Sequence, residues 1–206
     1  MSALLVAGVA VPPAFAQTGS ILPDRAAETS AHGSDADRAH RTMNDYGVCL
    51  VKSRFTAVRR AIASPEGQVD GALSSLAIDD CLQSGELRMS RTLMRGAVFR
   101  ALYIHDFGRR PPVAPIIETS VSTNVPPGDN PLRVFGRCVL GSDAANTRAF
   151  VLAVPATSAE RDALRGLAPA LARCVAGGQT IRFSRATLQG VLAEAAYRSS
   201  SVPVSN

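Results

Sequence analysis

The 206-residue chain has no tryptophan, and only seven Phe and three Tyr, so whatever core it builds is mostly aliphatic. Lysine is almost missing: Lys52 stands alone and every other cation among the 22 is arginine. A GC-rich genome accounts for that bias, and bidentate recognition of phosphate or carboxylate is the functional alternative. No run of five or six like charges forms a basic tail. No long apolar stretch follows the first 16 residues, which argues against a membrane span in the body of the chain. There is no Cys-x-x-Cys, so a thioredoxin-like redox site is not expected, and no Cys-x-x-Cys-His for haem attachment. The four cysteines are spread out with no nearby histidine pair, which argues against zinc. A Gly-x-Ser-x-Gly elbow and a glycine-rich phosphate loop are also missing. The expectation is therefore no cofactor, no metal, and no assembled acid, base and nucleophile set.

With 46% hydrophobic and 19% charged residues, the composition is that of a globular protein. The net charge of +5 gives a mild positive field, which favours anionic surfaces such as lipid headgroups or lipopolysaccharide; nucleic acid is not an expected partner.

The first segment, residues 1–16, reads as a signal peptide. Ala3 to Val11 is a small-apolar stretch too short to span a bilayer, and Pro12 and Pro13 break it. Ala14-Phe15-Ala16 then offers small residues at −3 and −1, for cleavage before Gln17. No Lys or Arg precedes the apolar stretch, a departure from the usual pattern. Residues 17–41 are polar and read as a disordered leader. Export to the periplasm of a Gram-negative bacterium, or to the medium, is the expectation.

The most informative feature is an internal repeat. Leu87 to Tyr103 aligns with Ile181 to Tyr197 at an offset of 94, with Arg88, Ser90, Arg91, Gly96, Ala101 and Tyr103 matched by Arg182, Ser184, Arg185, Gly190, Ala195 and Tyr197. Upstream, Tyr46-Gly47-Val48-Cys49-Leu50 aligns with Phe135-Gly136-Arg137-Cys138-Val139 at offset 89, and Cys81 with Cys174 at offset 93. The expected fold is all-α: two tandem three-helix modules, residues 42–108 and 134–198, each with a short extended segment and one disulfide. A Pro-rich linker, 109–133, joins them, with an extended stretch over Ile116 to Thr123, and 199–206 is a disordered tail.

Within each module the pattern predicts a long first helix after the aromatic-Gly-x-Cys start. Ser64-Pro65 predicts an N-cap, and Thr157 with Glu160 a capping box. The second helix carries Leu73, Leu76, Ala77, Cys81 and Leu82 on its apolar face, matched by Leu164, Leu167, Leu171 and Cys174, with Gly85 and Gly177-Gly178 as stops. Ser90 and Ser184 are expected to cap the third helix, and mid-helix Gly96 and Gly190 to mark close helix packing. Four cysteines allow three pairings. Self-sufficient modules favour Cys49–Cys81 and Cys138–Cys174 over pairs that cross between modules. Closing a loop of about 33 residues is worth ~3.7 kcal/mol in the chain-entropy model.

The sharpest surface feature is the repeated Arg-x-Ser-Arg. Arg88, Ser90 and Arg91, and again Arg182, Ser184 and Arg185, stand at a helix N-terminus, where free N–H groups favour an anion. Arg95 adds a cation in the first copy, while Gln189 replaces it in the second. The simpler alternative is that the serines are caps and the arginines face solvent or a neighbouring acid. Of the histidines, His32 and His40 lie eight apart in the leader, a poor metal spacing, and His105-Asp106 closes module one without a counterpart in module two. His105 as a catalytic base gives a hydrolase-type alternative; a helix C-terminal cation is the simpler role. Eight cations meet seven acids in Thr42–Gly108, but eight meet four in Val134–Arg198, so the positive excess lies mainly in the second module. The leading expectation is a non-catalytic binding or structural module of the bacterial envelope. The runner-up is a binder of an anionic ligand or surface through the Arg-x-Ser-Arg sites.

Overall fold

The computed structural model describes residues 34–82, 88–109, 129–175 and 182–200. Among them are seven α-helices and no strand: α1 Asp35–Ile62, α2 Glu66–Ser74, α3 Arg91–Phe107, α4 Pro131–Ser142, α5 Ala144–Leu152, α6 Ser158–Cys174 and α7 Arg185–Ser200, with a single 3-10 turn at Asp79–Cys81. The signal segment, most of the leader with His32, the helix stops at Gly85 and Gly177-Gly178, most of the linker with Ile116 to Thr123, and the last six residues lie outside the described residues.

Short polar side chains set most of the helix starts. Ser34 and Asp37 form a capping box, so α1 begins at Asp35. That corrects the expectation of a disordered leader up to residue 41: its last residues are helical, and His40 is buried. Ser90 accepts the Leu93 N–H, and Ser184 accepts that of Thr187. Asn130 caps α4 with Pro131 in the first turn, and Asp143 caps α5. Thr157 caps α6 as expected, but Glu160 takes the Ala156 N–H, one residue short of a closed capping box.

Four expectations about the helices fail for local reasons. Ser64 does not cap α2; its hydroxyl turns back to the Arg60 carbonyl, and Pro65 holds the N-cap position without a side-chain bond. The second helix of the first segment stops at Ser74 rather than running to Leu82. The Ser74 and Ser75 hydroxyls bond the Asp70 and Ala72 carbonyls, and the Ile78 N–H goes to the Tyr46 hydroxyl. Leu76, Ile78, Cys81 and Leu82 still pack on the core, from irregular chain. In the second segment the long first helix is broken at Asp143 into α4 and α5, and α1 itself carries one non-helical residue, Arg54. The buried face of α6 is also rotated: Glu160, Ala163, Leu167, Ala170 and Cys174 point inward, while Leu164 and Leu171 are only half-buried.

The cysteines pair Cys49 with Cys81 and Cys138 with Cys174, Cα atoms 5.6 and 5.7 Å apart. The first bond ties the turn after α2 to α1; the second ties the last residue of α6 to α4. Disulfides persist where thiols are oxidised, which puts the chain outside the reducing cytoplasm. No described helix is long and apolar enough to cross a membrane.

The described residues all belong to one compact unit with a shared core. Leu50, Val58, Val69, Val98, Leu102, Val139, Leu167 and Leu192 are completely buried, and Phe99 and Phe150 are the phenylalanines fully sequestered among them. Helices α3 and α7 are central: α3 is buried continuously from Met94 to Tyr103, and α7 from Leu188 to Tyr197 except at Val191.

A candidate cleft at the crossing of the two central helices

Helices α3 and α7 meet backbone to backbone at Gly96 and Gly190. A Cβ on Gly96 would lie 2.7 Å from the Gly190 Cα, and one on Gly190 2.6 Å from the Gly96 Cα. Further along, Tyr197 meets Phe99, Asp106 and Phe107. Residue numbers rise together in both helices, so the two run parallel and their N-termini lie at one end. Such close backbone approach leaves side chains on either side of the contact to fill or frame a space. Two polar clusters do so.

The first cluster closes its space. Arg100 donates to the carbonyls of Val151 and Ala153 at 2.9 and 2.8 Å, and the Gln189 side-chain nitrogen donates to those of Phe150 and Ala153 at 2.9 and 3.2 Å. These carbonyls end α5, where no helical partner remains for them, so the two side chains satisfy a buried helix end. The Gln189 oxygen accepts from His40 Nε2 at 2.9 Å and from Asn44 at 3.4 Å. The space left between His40, Asn44, Arg100 and Gln189 is only about 10 Å³. Burial pushes Arg100 down to about 10, against the opposing charges of Glu160 and Asp45, so it stays charged at neutral pH.

His40 in this cluster has a defined consequence. Burial lowers its pKa below the ordinary 6.5, reinforced by Arg100 and Arg185, and outweighs Glu160 and the Gln189 hydrogen bond. Its Nδ1 and the facing Glu160 Oε1 are 3.5 Å apart, and neither makes a hydrogen bond among the described residues. The unfolded histidine takes up its proton first as pH falls, so acid favours unfolding. Stability is full above pH 6.5 and declines below it until the folded pKa is reached. Thermal melts between pH 7.5 and 5.5 should show this decline, and His40→Gln, which keeps a donor for Gln189, should flatten it. An equal slope in both chains would remove His40 from the account.

The second cluster frames an open cleft of about 240 Å³. Its central group is Arg95, whose side chain is 9% exposed. Arg95 donates to Glu194 from Nε at 2.7 Å and again from Nη2, to Asp70 at 3.1 Å and to Glu66 at 2.6 Å. Burial alone would lower its pKa; the bonds and charge of Glu194, then Glu66 and Asp70, more than reverse this. Burial likewise works against the Glu194 carboxylate, and Arg95 and Arg198 hold it below the usual glutamate value. Around them Arg133 pairs with Glu66 at 3.0 Å, Arg137 with Asp129 at 3.0 Å, and Arg198 with Glu194 at 2.8 Å. Leu132, Val191 and Ala195 supply the apolar wall. A third, apolar depression of about 320 Å³ lies among Phe135, Leu164, Leu171, Phe183 and Leu188; among the described residues Arg185 is its sole charged lining residue.

The residues singled out by sequence fall elsewhere. Ser90 and Ser184 spend their hydroxyl oxygens on caps. Arg88, Arg91 and Arg182 are exposed at the common N-terminal end of α3 and α7. Arg185 is half-buried and ion-paired with Asp37 and Glu160. His105, 56% exposed, lies against the Phe55 ring, and its Nδ1 is 2.7 Å from Asp106, which also accepts from Arg59 and Tyr197. Asp106 thus orients the imidazole, but no hydroxyl or thiol bonds its Nε2 among the described residues. No group of three or more potential metal ligands occurs among the described residues either. Of the cleft's charged residues, sequence reasoning marked Arg95 alone. Asp70, Arg133, Arg137, Glu194 and Arg198 were missed, although aligning the sequence at offset 94 offers a signal: Arg95 then falls on Gln189 and Arg100 on Glu194. Charges that change sign or vanish between aligned helices fit buried partners better than solvated ones. The chain matches no protein-family model, and neither a similar curated protein nor a similar solved structure was found.

Proposed function

We propose that this chain is an exported, non-catalytic binding protein of the bacterial envelope, cleaved after Ala16 and built by duplication of one helical unit. Several contacts support the duplication. Gly96 and Gly190 are aligned residues and they touch each other, as residues beside a twofold axis do. Gly47 lies against the Ala97 carbonyl and Gly136 against that of Val191, at the offsets of 89 and 94 found in the sequence. The non-helical residue in α1, Arg54, and the break at Asp143 are also 89 apart. Each unit then comprises a broken first helix, a second helix that is stapled to it directly or through the turn that follows, and a central third helix.

The observation that carries the binding role is the inequality of two aligned clefts. Met43, Asn44, Ala97 and Gln189 line one, and Leu132, Arg133, Val191 and Arg95 stand at the aligned places in the other. One is filled by the chain's own side chains, while the other keeps its room. Recovery from the native host with thiols blocked before lysis tests the reading by mass spectrometry. A chain starting at Gln17, carrying both disulfides and a small co-purifying mass, is the expected result. An uncleaved chain with four free thiols would overturn export.

A second reading, an anionic surface held by the Arg-x-Ser-Arg segments, is favoured by the parallel run of α3 and α7, which brings both segments to one end. Arg185 is already paired with Asp37 and Glu160, so Arg91 and Arg182 would carry it. At about 1 kcal/mol per cation near an anionic bilayer, Arg91→Ala with Arg182→Ala should weaken vesicle binding roughly 30-fold. Equal retention on vesicles by variant and parent removes this reading.

A further inference from the structure

We propose that the open cleft takes a small organic carboxylate with a short apolar body. Its carboxylate would lie against Arg133 and Arg198, and its body against Leu132, Val191 and Ala195. The proposal rests on the reading of the chain as a binding protein and adds the ligand class.

Among the described residues the charges around the cleft balance, but its hydrogen-bonding groups do not. Arg95, Arg133, Arg137 and Arg198 face Glu66, Asp70, Asp129 and Glu194. Each guanidinium carries five N–H donors. Arg95 engages all three of its nitrogens. Among the described residues, Arg133 and Arg137 each make one ion pair, through a single terminal nitrogen. Arg198 bonds Glu194 through Nε, and its buried Nη2 has no hydrogen-bond acceptor among the described residues, Glu66 being 3.5 Å away. Each nearby carboxylate already takes at least one arginine, whereas the buried Arg198 Nη2 takes no acceptor among the described residues. A ligand that brings an acceptor to that nitrogen fits this arrangement.

Charge and shape narrow the class further. Four cations against four anions leave no surplus to stabilise a dianion out of water, so a monoanion is favoured over phosphate. The planar carboxylate matches the guanidinium fork. A space of about 240 Å³ lies just below the usual range of ~300–1,000 Å³ for small-molecule pockets, so the apolar body is short.

Hexanoate is a direct probe, followed by amide chemical shifts in the full oxidised chain. Saturable shifts centred on Thr92, Gly96, Leu132, Val191 and Ala195 are expected, with no equivalent response to 1-hexanol, hexylammonium or inorganic phosphate. Arg133→Gln should weaken hexanoate at least about tenfold, the scale of one charged hydrogen bond, while Arg165→Gln, on the exposed face of α6, should not. The shift map of the parent stands even if Arg133→Gln folds poorly. No saturable shift up to about 50 mM, where a millimolar site would be nearly full, overturns the proposal. So does an equal response to hexanol or hexylammonium, and a matching response to phosphate alone marks a free-phosphate site instead. Hexanoate failure in a chain that is cleaved and oxidised in its host removes this ligand class and leaves export standing; the reverse pair of results removes export and leaves the ligand.

Discussion

Replacing Cys49 and Cys81 together by serine should cost about 3.7 kcal/mol, and replacing Cys138 and Cys174 about 3.8 kcal/mol, by the chain-entropy relation for their loops. The sequence separations are 32 and 36 residues. Native proteins of this size keep only ~5–15 kcal/mol in total, so loss of both bonds should unfold the chain or leave it marginal at 37 °C. The costs are large because of where the bonds act. Residues 75–82 hold few regular backbone bonds, and Cys49–Cys81 fixes them to α1, with Leu76, Ile78 and Leu82 on the core. Denaturant unfolding followed by far-UV circular dichroism measures each double variant. For a chain of this length, the single loss corresponds to a fall in Tm of roughly 7–15 °C. Midpoints within about 0.5 kcal/mol of the parent would mean that the bonds constrain little beyond what packing already fixes.

The fold class was legible because its signals are local. Apolar residues at helical spacing in α3 and α7, Ser90 and Ser184 before them, and one cysteine pair in each segment all point the same way without long-range information. The failures were local as well. Ser74 and Ser75 end α2 early by bonding their own helix, a competition that an apolar stripe does not reveal. Residues 35–41 look like leader because few are apolar, yet the Ser34–Asp37 box was present to start a helix there.

The cleft was harder to read because its residues break the rule that charge faces water. Arg95 and Glu194 of the cleft, and Arg100 and Gln189 of the closed cluster, occupy the central helices, where their partners come from each other and from α2, α1 and the end of α5. Only tertiary structure brings those partners within reach, so helical spacing assigns these four to the surface. The repeated mid-helix glycines were the better clue. They mark where two helices approach too closely for side chains, and the polar residues beside them are then enclosed.

That close approach gives the second large expected effect. Gly96→Ala should destabilise the chain by about 1–3 kcal/mol, and Gly96→Val by more, because the new Cβ meets the Gly190 backbone rather than a flexible side chain. Gly190→Ala meets the Gly96 backbone at nearly the same distance and should cost a similar amount. Duplication about a twofold axis requires that near-equality, because each glycine is the other's neighbour. Gly71, inside α2, is the contrasting site: a Cβ there meets nothing within 4 Å, so Gly71→Ala should stabilise by about 0.5–1 kcal/mol through helix propensity. Gly136 lies between these cases, since its nearest neighbour includes the movable Val191 side chain at 3.1 Å. Thermal unfolding of the four single variants should therefore rank Gly71→Ala above the parent, then Gly136→Ala, with Gly96→Ala and Gly190→Ala together at the bottom. Pushing α3 and α7 apart also moves Arg95 relative to Glu194, so the two lowest variants should lose the amide-shift response to hexanoate as well as stability. A chain that tolerates alanine at Gly96 but not at Gly190 would break the twofold account and leave two unrelated helices that happen to cross at glycine.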